Sequence, residues 1–179
     1  LIGLSVALFF GTHFYKSSQA AGVKRSSDQY GLFKDLYQQD SLNDEAFEAV
    51  KGAKHTIYGT FAASLLASDI EQEKRDGDAV ALLEEAIKRE KDTVLKAMLT
   101  YRLALAHYNS DQFDEAQKVL EKITLASYEP LVKTLAGDIA LKRGDHETAR
   151  IRYSEALEMN DENQLSLTYY KLQALGGAL

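Results

Sequence analysis

The side chains best suited to metal binding or proton transfer are four histidines: His13, His55, His107 and His146. No two of them lie three or four residues apart, so no helical turn places a pair on one face, as a metal site would require. His107 has no partner nearby in sequence and is predicted to be a packed core residue rather than a ligand. Cysteine is absent, which excludes disulfides, thiolate metal sites and a cysteine nucleophile.

Two adjacent carboxylate pairs, Glu84-Glu85 and Asp114-Glu115, are the other candidates for chemistry. Adjacent residues on a helix do not face each other, so both pairs are interpreted as solvated helix faces. The Gly-x-Ser-x-Gly and phosphate-loop patterns are missing from the chain. The sequence therefore predicts no enzyme, no metal, no cofactor and no small-molecule substrate.

The overall composition is that of a globular protein which binds neither DNA nor RNA. Of 179 residues, 45% are hydrophobic and 27% are charged, and the formal net charge is −6. An acidic surface repels phosphate backbones, so nucleic acid is not an expected partner. The chain has one proline, and its many Ala, Leu, Glu and Lys residues favour helix over sheet.

The first fifteen residues, LIGLSVALFFGTHFY, form an uncharged apolar run that ends at Lys16. As a helix the run would be about 22 Å long, whereas a bilayer core needs about 20 apolar residues. The chain starts at Leu1, so we expect residues 1–16 to be the C-terminal part of a transmembrane anchor helix. Residues 17–29 would then form a juxtamembrane segment. A signal peptide cleaved within 17–21 and a buried core helix are the alternatives.

Small residues recur every four positions in this run, at Gly3, Ala7 and Gly11. Such a strip lets transmembrane helices pack closely, so these three residues are candidates for helix packing in the membrane. The basic residues Lys16, Lys24 and Arg25 after the run would by themselves place the following domain weakly in the cytoplasm.

Three segments after the run share one pattern of helix, short turn and helix, at residues 64–87, 101–123 and 134–157. Small residues stand where two antiparallel helices would approach closely: Ala67, Ala104 and Gly137 on the first helices, and Ala79, Ala116 and Ala149 on the second. Larger residues would fill the remaining space: Leu83, Leu120 and Tyr153. Gly144 is expected in the left-handed conformation that ends a helix, and Asp145 is expected to cap the next helix.

The second alanines of the last two segments lie 33 residues apart, close to the tetratricopeptide period of about 34. The preceding step is four residues longer, which suggests a longer connection at Lys91-Asp92-Thr93. We therefore predict an all-α protein in which residues 30–179 form tetratricopeptide-like helical hairpins, an α-solenoid. Its last helix, at residues 161–175, would cap the array.

The first helices of stacked hairpins line a concave groove, which could hold an extended or helical peptide. The candidate groove residues are Phe61, Ser64 and Ser68 in the first hairpin, Tyr101, Leu105 and Tyr108 in the second, and Thr134, Asp138 and Leu141 in the third. Two alternatives stay open. The C-terminal helix could fill the groove itself, or the surface could be plain solvent.

With these residues placed, the chain resembles the YfgM-type family, the tetratricopeptide ancillary subunits of the bacterial Sec translocon. The resemblance rests on the apolar run ending in Phe14-Tyr15, on Tyr58-Gly59, on Leu103-Ala104, and on Gly137 with Lys142-Arg143-Gly144-Asp145. It implies a single-pass protein of the bacterial inner membrane, in contact with its lipid, whose repeat domain faces the periplasm. The basic residues after the anchor are at odds with that topology.

The resemblance also implies partners. They are the SecYEG channel subunits and a membrane-anchored periplasmic chaperone of the PpiD type, which the chain would link to the channel for proteins being exported. The alternative is a generic tetratricopeptide adaptor in envelope or secretion-machine assembly, soluble after removal of a signal peptide. The family has no catalytic motif to carry over.

Overall fold

All the regular secondary structure that the computed structural model describes is helical, which confirms the predicted fold class. The described residues are 24–25, 27–28, 30–35, 38, 57–72, 76–159 and 166–176. The chain divides into two compact units, residues 1–69 and residues 70–179. The predicted anchor, with Gly3, Ala7 and Gly11, lies outside the described residues.

The first unit contributes helical residues between positions 24 and 38 and most of helix α1, Ile57–Gln72. Phe33 is buried, and its ring centroid lies 6.0 Å from that of Tyr30. One side of α1 is packed away from solvent, with its small residues Ala62, Ala63 and Ala67 fully buried.

The second unit contains six α-helices and a short 3₁₀ turn among its described residues. The helices are α2 Asp76–Arg89, α3 Thr93–Asn109, α4 Phe113–Leu120, α5 Glu129–Lys142, α6 His146–Glu158 and α7 Ser166–Ala174. Helices α3 and α4 form one hairpin, α5 and α6 form the next, and α2 and α7 pack at either end. The turn, Ala126–Tyr128, precedes α5.

Polar side chains mark where two of these helices begin. Asp92 accepts hydrogen bonds from the backbone N–H groups of Val94 (2.9 Å) and Leu95 (3.0 Å) at the start of α3. Asp145 accepts one from the N–H of Thr148 (3.0 Å) at the start of α6. These bonds satisfy donors that have no partner within the helix. The predicted cap at Asp145 is therefore confirmed.

The turns that close the two hairpins have the same geometry, 33 residues apart. The N–H of Gln112 donates to the carbonyl of His107, and the N–H of Asp145 donates to that of Ala140, both at 2.9 Å. The residue before each donor is left-handed: Asp111 has φ 57° and Gly144 has φ 80°. This is the hydrogen-bond pattern of a Schellman helix end. The predicted conformation of Gly144 is confirmed.

Helices α5 and α6 approach each other closely at Gly137. A Cβ built on Gly137 would lie 2.5 Å from Cε1 and 2.7 Å from Cδ1 of the Tyr153 ring, which is fully buried. Only glycine leaves room for that ring. The other small residues predicted for close contacts, Ala67, Ala79, Ala104, Ala116 and Ala149, are all fully buried, as close contacts require.

The predicted longer connection at Lys91-Asp92-Thr93 is wrong. Only residues 90–92 separate α2 from α3, and Thr93 already belongs to α3. The extra length lies in the part of α2 beyond Ala79 and in α3, which has 17 residues where α5 has 14; the connection before α3 is shorter than the one before α5.

We expect Gly137→Ala to lower the free energy of unfolding by roughly 1–3 kcal/mol, because the added methyl group overlaps the Tyr153 ring. Gly77→Ala is the matched control. Gly77 is helical and exposed, and its new Cβ would meet nothing within 4 Å. That control should be neutral or slightly stabilising. Urea denaturation of both variants checks the prediction, and equal stabilities would contradict it.

The hydrogen bond from Thr148 lowers the pKa of the Asp145 carboxyl below its usual range. A depressed pKa means that the carboxylate stabilises the fold above the unfolded-state pKa of about 3.9, and that this contribution is lost as the pH falls through the folded-state pKa. Asp145→Asn keeps a capping oxygen but does not titrate. Wild type should therefore lose stability relative to Asp145→Asn when urea midpoints are compared between pH 6 and pH 3. A constant difference across that range would contradict the role of the charge.

Candidate protein-binding face

Two neighbouring helices carry the predicted groove residues of the second unit. Tyr101, Leu105 and Tyr108 lie on α3, and all three are half-buried. The residues Thr134, Asp138 and Leu141 lie on α5, are also half-buried, and belong to a helix that contacts α3. The structure thus brings six of the nine candidates to adjoining helices.

The remaining three candidates belong to α1, in the other unit. Phe61 is exposed, and Ser64 and Ser68 are half-buried. Leu65, which was not among the candidates, is exposed beside them. Their participation in a binding surface stays a prediction.

Asp138 carries the charge of the α3–α5 face, the surface formed by the six candidates on these two helices. Its Oδ1 accepts a hydrogen bond from the Tyr153 hydroxyl at 2.7 Å, and Lys171 Nζ lies 2.7 Å from both carboxylate oxygens. The Asp138 side chain is only 15% exposed, so this ion pair is largely shielded from water. Pairs in such surroundings are stronger than pairs on an open surface, and breaking one leaves a buried charge.

Burial and the Asp138 charge together hold the nearby tyrosines in their neutral form. Burial is the larger cause and Asp138 the second in raising the pKa of Tyr101 to about 12, although Arg102 opposes the shift. The same two causes raise the pKa of Tyr108. Burial, followed by the hydrogen bond to Asp138, raises the pKa of Tyr153. The half-buried rings of Tyr101 and Tyr108 therefore offer apolar surface and hydroxyl groups but no charge.

Helix α7 lies over α5 and α6 at this face. The hydroxyl oxygens of Thr168 and Thr134 are 3.1 Å apart. Leu172 is buried in a cluster with Ala140, Ala149 and Tyr153, against which Leu141 and Leu175 also pack. At the last hairpin, the C-terminal helix thus covers the groove residues, which is one of the alternatives left open by the sequence.

Aromatic rings border the same face along α3. The ring centroids of Tyr101 and Tyr128 are 6.3 Å apart, in an edge-to-face arrangement. Those of Tyr108 and Phe113 are 5.9 Å apart. Such contacts fix the ring orientations and leave half-buried tyrosines on the surface, which is typical of protein-binding sites.

A cleft of about 380 Å³ opens between α4, α5 and α6, lined by Gln117, Val132, Lys133, Ala136, Ile139, Ala140, Arg143, Asp145, Thr148 and Arg152. Its cations are paired with carboxylates. Glu155 contacts Lys133 at 2.9 Å and Arg152 at 2.8 Å, and these partners, Lys133 first, lower its pKa. Arg143 pairs with Asp114 of the neighbouring hairpin. The Lys133–Glu155 and Arg143–Asp114 pairs join neighbouring helices, and the three pairs leave little net charge for a ligand.

The histidine and carboxylates that the sequence offered as candidates for chemistry take part in packing and ion pairs. His107 is buried, and its Nδ1 lies 2.7 Å from Oε1 of Gln112, so the predicted packed histidine is confirmed. Asp114 and Glu115 are exposed and lie beside cations, and Glu85 pairs with Arg89. Within the described ranges, no three His, Cys, Asp or Glu residues are grouped so as to hold a metal ion.

The model of the tetratricopeptide repeat-like domain family matches residues 1–177 of the chain. The chain belongs to this family. The crystal structure of BtubC (BKLC) from P. vanneervenii shares the fold of this tetratricopeptide repeat-like chain with a TM-score of 0.59 at 21% identity. That match covers 87% of this chain and 65% of BtubC.

Curated relatives cover most of this tetratricopeptide repeat-like chain and carry one name. The ancillary SecYEG translocon subunit of Haemophilus influenzae is 26% identical over 176 residues, which are 96% of this chain and 85% of that relative. The subunit of Aggregatibacter actinomycetemcomitans is 28% identical over 83% of this chain and 74% of its own length. The subunit of Escherichia coli is 25% identical over 91% of this chain and 80% of its own length. The resemblance stated from the residues is therefore confirmed.

Among the helices described here, none is both long enough and apolar enough to cross a membrane.

The outer side of α7 was not predicted as a separate surface. Leu167 and Tyr170 are 66% and 65% exposed, whereas Leu172 on the same helix is buried. Thr168 and Lys171 were also missed as functional candidates. They precede Leu172 by four residues and one residue, which places all three on one side of a helix, but nothing in the sequence of α7 marks that side as the buried one.

Replacing Tyr153 by phenylalanine keeps the ring against Gly137 but removes the hydrogen bond to Asp138. We expect Tyr153→Phe to lower the free energy of unfolding by roughly 1–3 kcal/mol, because a shielded carboxylate loses a donor. Tyr170→Phe, the same change at an exposed ring, should have almost no effect. Thermal and urea denaturation test this, and equal effects of the two changes would contradict it.

Proposed function

We propose that this chain is an ancillary subunit of a SecYEG translocon, a non-catalytic protein-binding scaffold beside the channel. The observation that carries the proposal is the match of relatives bearing that name over 96%, 83% and 91% of the chain. The all-helical repeat domain supports it, because stacked hairpins offer a binding surface rather than a reaction centre.

The proposal includes topology and partners. Residues 1–16 anchor the chain in the inner membrane as part of a single transmembrane helix, and the repeat domain lies in the periplasm. There it binds a membrane-anchored chaperone of the PpiD type and holds it near exported proteins. The apolar run LIGLSVALFFGTHFY supports the anchor. The half-buried rings of Tyr101 and Tyr108 support a protein-binding face, since aromatic residues are enriched in interfaces.

Affinity purification of the tagged full-length protein from detergent-solubilised membranes tests the function. SecYEG subunits and the chaperone should be recovered together with the chain. Photo-crosslinking probes refine the result. A probe at Gly11 should capture channel subunits, and a probe at Tyr108 should capture the chaperone. A probe at Lys118, exposed on α4, is the matched control. Recovery of envelope proteins with neither a Sec subunit nor the chaperone would favour the generic adaptor instead.

The anchor also predicts which residues touch the channel. Replacing Gly3, Ala7 and Gly11 by leucine should reduce recovery of SecYEG subunits several-fold, because the close approach of two helices needs small residues. The double variant Val6→Leu with Phe10→Leu is the control, since it changes the same segment without replacing any residue of the small-residue strip. Unchanged recovery of the channel with the triple variant would refute a contact at this strip.

A further inference from the structure

Helix α7 buries few of its side chains for a helix that covers a core. Of its residues whose burial is described, only Thr168 and Leu172 are buried, while Leu167, Tyr169 and Tyr170 are exposed. It has nine residues, fewer than the roughly 12–15 that an isolated helix needs to be even marginally stable in water. Its helical form therefore depends on the surface beneath it, and such elements open most easily.

The surface beneath α7 is specific in its chemistry. It offers a hydroxyl at Thr134, a shielded carboxylate at Asp138, and an apolar pocket around Ala140 and Tyr153. Under a helix that brought no cation, Asp138 would be a largely buried charge, which is costly. The surface therefore selects a helix with a cation beside an apolar side chain.

The inward side of α7 shows the complementary pattern. Thr168 meets Thr134, Lys171 meets Asp138, and Leu172 enters the apolar cluster. These three residues stand at positions i, i+3 and i+4, which is the spacing of one helix face. Any helix with a hydroxyl, a cation and a leucine at that spacing can make the same contacts.

We propose that the surface formed by Thr134, Asp138, Ala140 and Tyr153 is a receptor for a helix of a partner protein, and that α7 is its resident occupant. The partner helix carries a threonine or serine, a lysine or arginine, and a leucine at the positions of Thr168, Lys171 and Leu172. The inference rests on the proposed protein-binding function and gives that function a ligand chemistry.

The resident helix raises the concentration that a partner helix must reach. A segment tethered to its own site competes at an effective concentration in the millimolar range. A partner that extends beyond α7 gains contacts that α7 does not make, with the half-buried rings of Tyr101 and Tyr108 on the adjoining helix. Exchange therefore favours a longer amphipathic helix over a short one.

The test uses the full chain and a fluorescent peptide with the sequence of residues 163–176, read by anisotropy. Lys171→Glu in the chain places like charges together and should release the resident helix, so this variant should bind the peptide at least tenfold more tightly than wild type. Lys142→Glu makes the same charge change at an exposed site on α5 and should match wild type. A peptide carrying Lys171→Glu should not bind any of these proteins.

A second variant tests the proposal even if Lys171→Glu fails to fold. Thr134→Cys with Thr168→Cys places two thiols where the hydroxyls are 3.1 Å apart, in a chain that has no other cysteine. Oxidation should lock α7 onto its site and abolish peptide binding, and reduction should restore the wild-type affinity. The corresponding single variants are the controls for oxidation itself.

Three results would overturn the inference. The first is equal affinity of a folded Lys171→Glu variant and wild type, and the second is peptide binding that persists in the locked chain. The third is a wild-type dimer that disappears on locking, which would make the occupant a second copy of the chain. If SecYEG recovery persists while peptide binding fails, the proposed function stands and the receptor falls. If the peptide binds as expected but no channel subunit is recovered, the receptor stands and the proposed translocon function falls.

Discussion

The contact between the Tyr153 ring and the bare backbone of Gly137 determines the structure of the last hairpin and of the surface above it. The ring occupies the space that any Cβ would need, so α6 can approach α5 only at this register. That approach directs the Tyr153 hydroxyl to Asp138, and Asp138 in turn holds Lys171. The position of α7 thus follows from a glycine two helices away, because each contact is available only when the previous one is made.

The same packing explains what could be predicted from the sequence. Small residues at a 33-residue spacing mark close contacts, since close-packed interiors tolerate no extra methyl groups there. Gly144 and Asp145 mark a helix end and a helix start, because few residues accept a left-handed φ or offer a capping oxygen. His107 could be interpreted as packed because no partner lay within one helical turn. These inferences succeeded because each depends on one residue and its immediate neighbours.

The features that escaped prediction depend on several elements at once. Asp111 adopts the conformation of Gly144, yet an aspartate is not a strong signal for a left-handed φ. The roles of Thr168 and Lys171 depend on which side of α7 faces α5. The apolar residues of α7 occur all around the helix, so its sequence does not define one buried face. The Tyr153–Asp138 bond selects that face, and a hydrogen bond between two helices leaves no mark in the sequence of α7.

A cap for a repeat array and a ligand for its groove have conflicting requirements, and α7 lies between them. A permanent cap would bury its apolar side chains deeply and turn its polar side chains outward. Helix α7 instead leaves Leu167 and Tyr170 exposed to solvent, and its Lys171 pairs with the shielded carboxylate of Asp138. While a helix covers it, the carboxylate needs a cation, because a shielded charge without a partner costs stability. Any helix that brings a cation meets that requirement as α7 does, so the chemistry of the surface demands a cation but does not demand this helix.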